Sequence, residues 1–251
     1  MNYESVRKQF SIRVGTFNTA ARWMLDESLL LAHLEAAGRP RPGADRALDL
    51  CCGTGIVGKA LKTQGWEMTG IDVTEEMAAE ANRHFPAVAG SVDRMPFADR
   101  SFDLAVLRQS YMLLDAERAL AEIKRVLKPD GAFVLSQSVP FSSADEPRYR
   151  EVQLARHINI IKTDSAESLL RELNDHGFYV EEMRFVRVRE SVDQWLGRAP
   201  ELGAELKARI RSLIATAPEE YRVARDVKSE NGELFENWNW VVFRARNRGQ
   251  A

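Results

Sequence analysis

Cysteine is nearly missing from this chain of 251 residues: there are two, and they are neighbours, Cys51 and Cys52. Adjacent cysteines cannot form an unstrained disulfide, and no His or Cys spacing around them matches a zinc site, so no metal is expected. They read as small apolar residues packed at a strand end in a reducing compartment. No apolar run approaches the roughly 20 residues that cross a bilayer, and Met1-Asn2-Tyr3-Glu4 does not begin a signal peptide. Charge of one sign is also lacking. The formal net charge is −2, from 35 Lys and Arg against 37 Asp and Glu, which makes no electrostatic case for nucleic acid or an anionic membrane. The arginines at 184, 187 and 189, and at 244, 246 and 248, read as solvated strand faces or ends. A cytoplasmic protein with neither a nucleic-acid nor a membrane partner is expected.

What is present is ordinary globular material, 45% apolar and 29% charged, long enough for one large α/β domain or two small ones. Its most informative stretch is Ala47-Leu48-Asp49-Leu50-Cys51-Cys52-Gly53-Thr54-Gly55-Ile56-Val57-Gly58. A short apolar run ends in a carboxylate, glycine-spaced residues turn the chain, and a helical pattern begins. That is the strand, loop and helix that open a nucleotide-binding α/β unit. Gly53, Gly55 and Gly58 also satisfy the G-x-G-x-x-G pattern of NAD and FAD sites. Asp49 argues otherwise, because a carboxylate at the strand end repels a pyrophosphate and attracts a cation. Asp72 ends the next apolar run, Glu67–Val73, about 20 residues after the glycine loop, where an acidic side chain can accept both hydroxyls of a ribose.

The pattern Leu48-Asp49-x-x-Cys52-Gly53-Thr54-Gly55 resembles motif I of the class I S-adenosylmethionine-dependent methyltransferases, with Cys51 where that family often has a glycine. The run Glu122-Ile123-Lys124-Arg125-Val126-Leu127-Lys128-Pro129-Asp130-Gly131 is similar to a scaffold segment of the ubiquinone-biosynthesis-like branch. The resemblance covers residues 47–137 well and 164–189 loosely. It implies a Rossmann-like, doubly wound α/β sheet of seven strands, mostly parallel with one antiparallel strand, plus a helical cap. The division expected is an N-terminal helical cover over 1–40, a core over 44–189, a helical insertion over 190–233 and a final strand and tail over 234–251, all in one domain. The adenine-binding turn falls at Gly90-Ser91-Val92, with Ser91 where the family usually has an acidic residue.

The function implied is methyl transfer from S-adenosylmethionine to a small organic acceptor. An NAD(P)-dependent oxidoreductase and a protein that holds the cofactor without turnover are the alternatives. The resemblance assigns the cofactor to Asp49, Cys51, Gly53, Gly55, Asp72, Val73, Ser91, Val92 and Arg108. The ligand edge of a parallel sheet offers Gln109 and Tyr111 after the fourth strand, His157 follows the fifth, and Phe17 is the aromatic of the N-terminal segment; these are the candidate acceptor contacts. His157 is the histidine placed to act as a base, and Tyr111 is a second catalytic candidate, although an unshifted phenol stays protonated near neutrality. Phe17, Phe141 and Trp195 are expected to form an apolar lid. Residues 142–162 show no clear period and read as a loop or short helix over the site.

Overall fold

The computed structural model describes residues 3–41, 43–157 and 159–248. Residues 1 and 2 of the expected cover and 249–251 of the expected tail lie outside them. The sheet is built around β1 (Arg46–Leu50), whose last four residues are buried. A strand covered on both faces reads as a continuous apolar run and pairs in parallel. β1 lies between β2 (Glu67–Asp72) and β4 (Phe102–Arg108), parallel to both. β3 (Ala87–Ala89) extends the sheet beyond β2, and β5 (Leu127–Val139) continues it beyond β4. β8 (Glu233–Asn247) then runs antiparallel between β5 and β6 (Phe178–Ser191). The order is therefore β3-β2-β1-β4-β5-β8-β6. Connections leave β1 in opposite directions on its two sides, so the carboxyl ends of β1 and β4 flank a crevice.

The mostly parallel seven-stranded sheet is present, and an eighth short strand joins it. β7 (Lys228–Glu230) forms a hairpin with β8, pairing Glu230 with Glu233. The two-residue turn is Asn231-Gly232, both with positive φ (52° and 85°), the conformation that twists a tight hairpin correctly. At the other end of the sheet the residues Lys128–Gly131 turn inside one strand. β5 pairs Leu127 with Phe102, bulges with Asp130 at φ 61°, and resumes with Ala132 opposite Leu104.

Helices cover both faces. α1 (Tyr3–Ser11), a 3-10 stretch over Val14–Thr19 and another over Arg22–Leu25 precede α2 (Glu27–Ala37), which Asp26 caps by accepting the Leu29 N–H. α3 (Ile56–Thr63), α4 (Glu75–Ala81) and α5 (Ala116–Val126) link the parallel strands, α5 capped by Asp115. α6 (Glu146–Arg156) fills the stretch that showed no period. It buries Tyr149, Val152, Gln153 and Arg156, which is helical spacing, but half of that face is polar. α7 (Ala166–Asp175) opens with a capping box between Ser165 and Ser168. α8 (Val192–Gly197), α9 (Ala204–Ala215) and α10 (Glu219–Ala224) occupy the stretch before β7.

Two apolar clusters form, one per sheet face. Ala47, Val57, Trp195 and Trp238 belong to one, together with Ala21 and Met24 of the N-terminal segment. Leu48, Leu50, Tyr111 and Leu169 belong to the other. The N-terminal segment is fixed to the sheet by buried Glu190, whose carboxylate accepts the backbone N–H groups of Arg22 and Trp23 at 2.9 and 3.1 Å. Four of the six strand arginines are ion-paired: Arg184 with Glu35 and Glu182, Arg189 with Asp226 and Glu230, and Arg244 and Arg246 with Glu181. Among the described residues no helix is long and apolar enough to cross a membrane.

Candidate active site

The loop after β1 is organised by two carboxylates at adjacent strand tips. Asp49 Oδ2 accepts the Gly58 N–H at 2.9 Å, in the first turn of α3. Asp72 Oδ2 accepts the Gly53 N–H at 2.9 Å, and its Oδ1 accepts the Thr74 N–H at 2.8 Å. Each of these oxygens has a second lone pair free for a ligand donor. Gly58 is what permits the first contact. A Cβ there would sit 2.8 Å from Asp49 Oδ2 and 2.3 Å from the Phe85 ring. Gly53, at φ 53°, brings bare backbone under the Phe17 ring, 3.2 Å from where its Cβ would be.

Burial raises both carboxyl pKa values. Asp49 is pushed up to about 7 by burial, with the Gly58 N–H and the Arg108 charge pulling the other way and Asp72 adding to the rise. Burial lowers Arg108 to about 10, so it remains a cation, and its guanidinium lies 5.1 Å from the Trp23 ring centre while donating to the Met24 carbonyl at 3.3 Å.

Two cavities meet at this loop, of about 960 and 560 Å³ counted to their open mouths. Phe10, Phe17, Cys51, Gly53, Ser110 and Leu113 line both, so they form one winding groove with the two phenylalanines at the waist. Asp72, Val73, Ser91 and Val92 line the smaller chamber, and Asp49, Arg108, Gln109 and His157 the larger. Thus most of the residues expected at a site do come together in one groove. The smaller chamber also holds Thr74, whose buried Oγ1 has no hydrogen-bond partner in the described structure.

Two expected contacts lie elsewhere. Gly55 lines neither chamber; at φ 84° it starts α3, and a Cβ there would meet Phe85 at 3.0 Å and Ala81 at 3.3 Å. It serves the packing of α3 against α4. Tyr111 is fully buried in the cluster on the other sheet face, beneath the Lys162 ammonium 4.6 Å from its ring centre. The strand alternation that would have aimed it at the groove stops at Gln109, whose φ is 52°, and a 3-10 turn over Tyr111–Leu113 follows. Burial raises its pKa further, which removes the phenol as a base. Of the expected lid, Phe17 and Trp195 line the groove, whereas Phe141 lies in a separate hollow with Phe185, beneath Arg187 and Arg225.

Gln109 lines the larger chamber but spends its amide on the scaffold. Its Nε2 donates to Ser138 Oγ and its Oε1 accepts the Ser138 N–H, both at 2.8 Å. Ser91 donates its hydroxyl to Asp93, which also accepts from Tyr3. Its oxygen retains acceptor capacity toward the chamber it lines. His157 sits just past the end of α6, its ring 6.2 Å from that of Trp195. Burial, then the charges of Arg156 and Arg13, hold its pKa well below the usual imidazole range, so at neutral pH it is an uncharged acceptor.

Several lining residues were not among the expected contacts. Phe10, Arg13 and Trp23 come from the N-terminal segment, Arg156 from α6 and Trp238 from β8. The aromatic rings make a connected wall: Trp195 meets Trp238 edge-on at 5.0 Å, Trp238 stacks on Trp240 at 6.5 Å, and Trp240 meets Trp23 at 4.9 Å.

Comparison with known proteins agrees with this geometry. The methyltransferase domain family matches residues 48–135. The squalene methyltransferase 1 of Botryococcus braunii is 32% identical over 160 residues, covering 59% of this chain and 41% of that protein. A demethylmenaquinone methyltransferase of Beutenbergia cavernae is 38% identical over 112 residues, covering 42% of this chain and 45% of that one. The chain thus spans less than half the length of these curated relatives. A solved structure of a methyltransferase candidate from Bacillus halodurans C-125 superposes with a TM-score of 0.78 over 88% of this chain and 99% of its own, at 22% identity, and speaks for the fold. Residues 48–135, which carry the glycine loop and the carboxylates of Asp49 and Asp72, are thus similar to the methyltransferase domain family, and the chain as a whole has the fold of the solved methyltransferase-like structure.

Proposed function

We propose that this chain transfers a methyl group from S-adenosylmethionine to a small organic acceptor. The observation that carries the reading is the pair of buried carboxylates, Asp49 and Asp72, bracketing Gly53 where the two chambers meet. Asp72 would take the ribose hydroxyls on its free lone pairs, beside the unpartnered Thr74 hydroxyl. Ser91 and the backbone of Val92 would hold the adenine. Asp49 would face the ammonium of the amino-acid tail, and Arg108 its carboxylate. A dinucleotide fits less well, because Asp49 already occupies the Gly58 N–H that a pyrophosphate would need and repels its charge.

When bound, S-adenosylmethionine supplies a methyl carbon on a sulfonium leaving group. The chain's own task is alignment, which can supply about 7–11 kcal/mol for a well-oriented pair. Phe10 and Phe17 line the junction of the chambers with apolar rings, which would leave water little to bind there. For a hydroxyl or amine acceptor, uncharged His157 would take the proton released as the new bond to carbon forms. The reading treats the chain as one domain, supported by an apolar cluster that joins the N-terminal segment, β1 and α8 to α10. It also places the protein in the cytoplasm, where two adjacent free thiols persist, without a nucleic-acid partner.

Calorimetry tests the proposal. S-adenosylmethionine and S-adenosylhomocysteine should bind, NAD(H) should not, and Asp72→Ala should weaken the first two by more than tenfold. Binding of NAD(H) with none of S-adenosylmethionine would overturn it.

A further inference from the structure

The larger chamber ends in more positive charge than its surroundings neutralise. Arg13, 7% exposed, and Arg156, 3% exposed, both line it, and both are paired with a single carboxylate, Glu201. Arg13 Nε donates to Glu201 Oε2 at 3.1 Å and Arg156 Nη1 to Glu201 Oε1 at 2.9 Å. Gln9 spends its amide on the same carboxylate, at 3.4 Å, and on Asn159. Two guanidiniums and one carboxylate leave one positive charge over. Arg156 Nε is buried with no hydrogen-bond partner among the described residues. An unmatched buried charge and an idle donor are both costly, and each is relieved by an anion in the chamber. The neighbouring walls are aromatic: Trp195 lies 5.2 Å below the Arg156 guanidinium and Phe10 5.4 Å below that of Arg13.

We infer that the methyl acceptor is an anion with a flat apolar body, its carboxylate or phosphate head held between Arg13 and Arg156 and its body against Trp195, Trp238 and Phe10. This rests on the methyl-transfer reading for where the cofactor lies, because Asp49 and Arg108 then serve the donor and leave Arg13 and Arg156 to the acceptor. The guanidinium fork of Arg156 suits either head bidentately, and the assignment makes the head, not the body, the element that orients the acceptor beside His157.

The test uses 1-naphthoate, 1-naphthyl phosphate and 1-naphthamide, measured by calorimetry on the full chain with S-adenosylhomocysteine saturating. At least one anion should bind more than tenfold tighter than the amide, and the tighter of the two names the head. Arg156→Gln should lose that advantage while S-adenosylhomocysteine affinity holds, and Arg156→Lys, which keeps the charge, should retain part of it should the Gln variant fail to fold. Equal affinity for amide and anions, no binding by any of the three, or an anion preference untouched by both variants would overturn the inference. S-adenosylhomocysteine binding is measured first; its absence overturns the methyl-transfer reading, and the three naphthalenes on the unliganded protein then decide the anion site separately.

Discussion

With Asp49 holding the ammonium of S-adenosylmethionine as proposed, the affinity for the methyl donor depends on pH in a way that can be worked out in advance. Its carboxyl rises from 3.8 to about 7 in the folded protein, chiefly through burial. That rise corresponds to about 4 kcal/mol. Because the folded state holds this proton more tightly than the unfolded one, the contribution to stability is complete below pH 3.8 and is lost as pH rises through about 7. Binding runs the other way. A cationic ammonium requires the ionised carboxylate, so the donor's affinity should fall about tenfold per pH unit below 7. Between pH 7.5 and 5.5 the dissociation constant for S-adenosylhomocysteine should rise roughly 25-fold. The ligand's own ammonium loses its proton only at more alkaline pH, where it adds a separate decline. Asp49→Asn separates the two limbs, since it keeps an oxygen to accept the Gly58 N–H and removes the charge. At pH 7.5 that variant should bind about 10- to 150-fold more weakly, the equivalent of one charge-assisted hydrogen bond. Its low-pH limb should vanish while the high-pH limb remains. Calorimetry at four pH values, with circular dichroism to verify folding at each, gives the answer. Equal affinity at pH 5.5 and 7.5 in the wild type, or the same slope in the variant, refutes the reasoning.

Gly58→Ala adds a methyl group 2.3 Å from the Phe85 ring, and overpacking of about 1–3 kcal/mol should outweigh the up to about 1 kcal/mol that alanine gains in a helix; the urea midpoint should fall, and an unchanged midpoint would contradict the packing described. His157→Ala should lower turnover on hydroxyl or amine acceptors by about 10²- to 10⁴-fold with no loss of S-adenosylhomocysteine affinity; full activity rules out the base.

The carboxylate pair and the glycine loop were legible in the sequence because their constraints are local. A strand tip, a glycine that must lie bare under a ring, and a carboxylate about 20 residues later sit within one βαβ unit, and Asp49, Gly53 and Asp72 stand where that logic puts them. Tyr111 did not, since the positive φ at Gln109 and the 3-10 turn after it carry the chain from the ligand edge of the sheet into the core on the other face. α6 left no apolar period because Gln153 and Arg156 occupy its buried face, one as part of the core and one as part of the chamber. The Asn231-Gly232 hairpin carried a clear local signal that the reading passed over. Arg13 and Arg156 could not be found from sequence alone, because what joins them is Glu201, 188 residues from the first and 45 from the second.

Five tryptophans dominate the protein's near-ultraviolet absorption over its five tyrosines, and four of them, Trp23, Trp195, Trp238 and Trp240, form a connected row of which Trp23, Trp195 and Trp238 line the larger chamber. Only Trp66 lies apart, just ahead of β2. Unlabelled emission from this chain therefore originates mostly at the chamber where the second reactant would dock, and a simple fluorimeter can follow occupancy there without waiting for an acceptor to be identified.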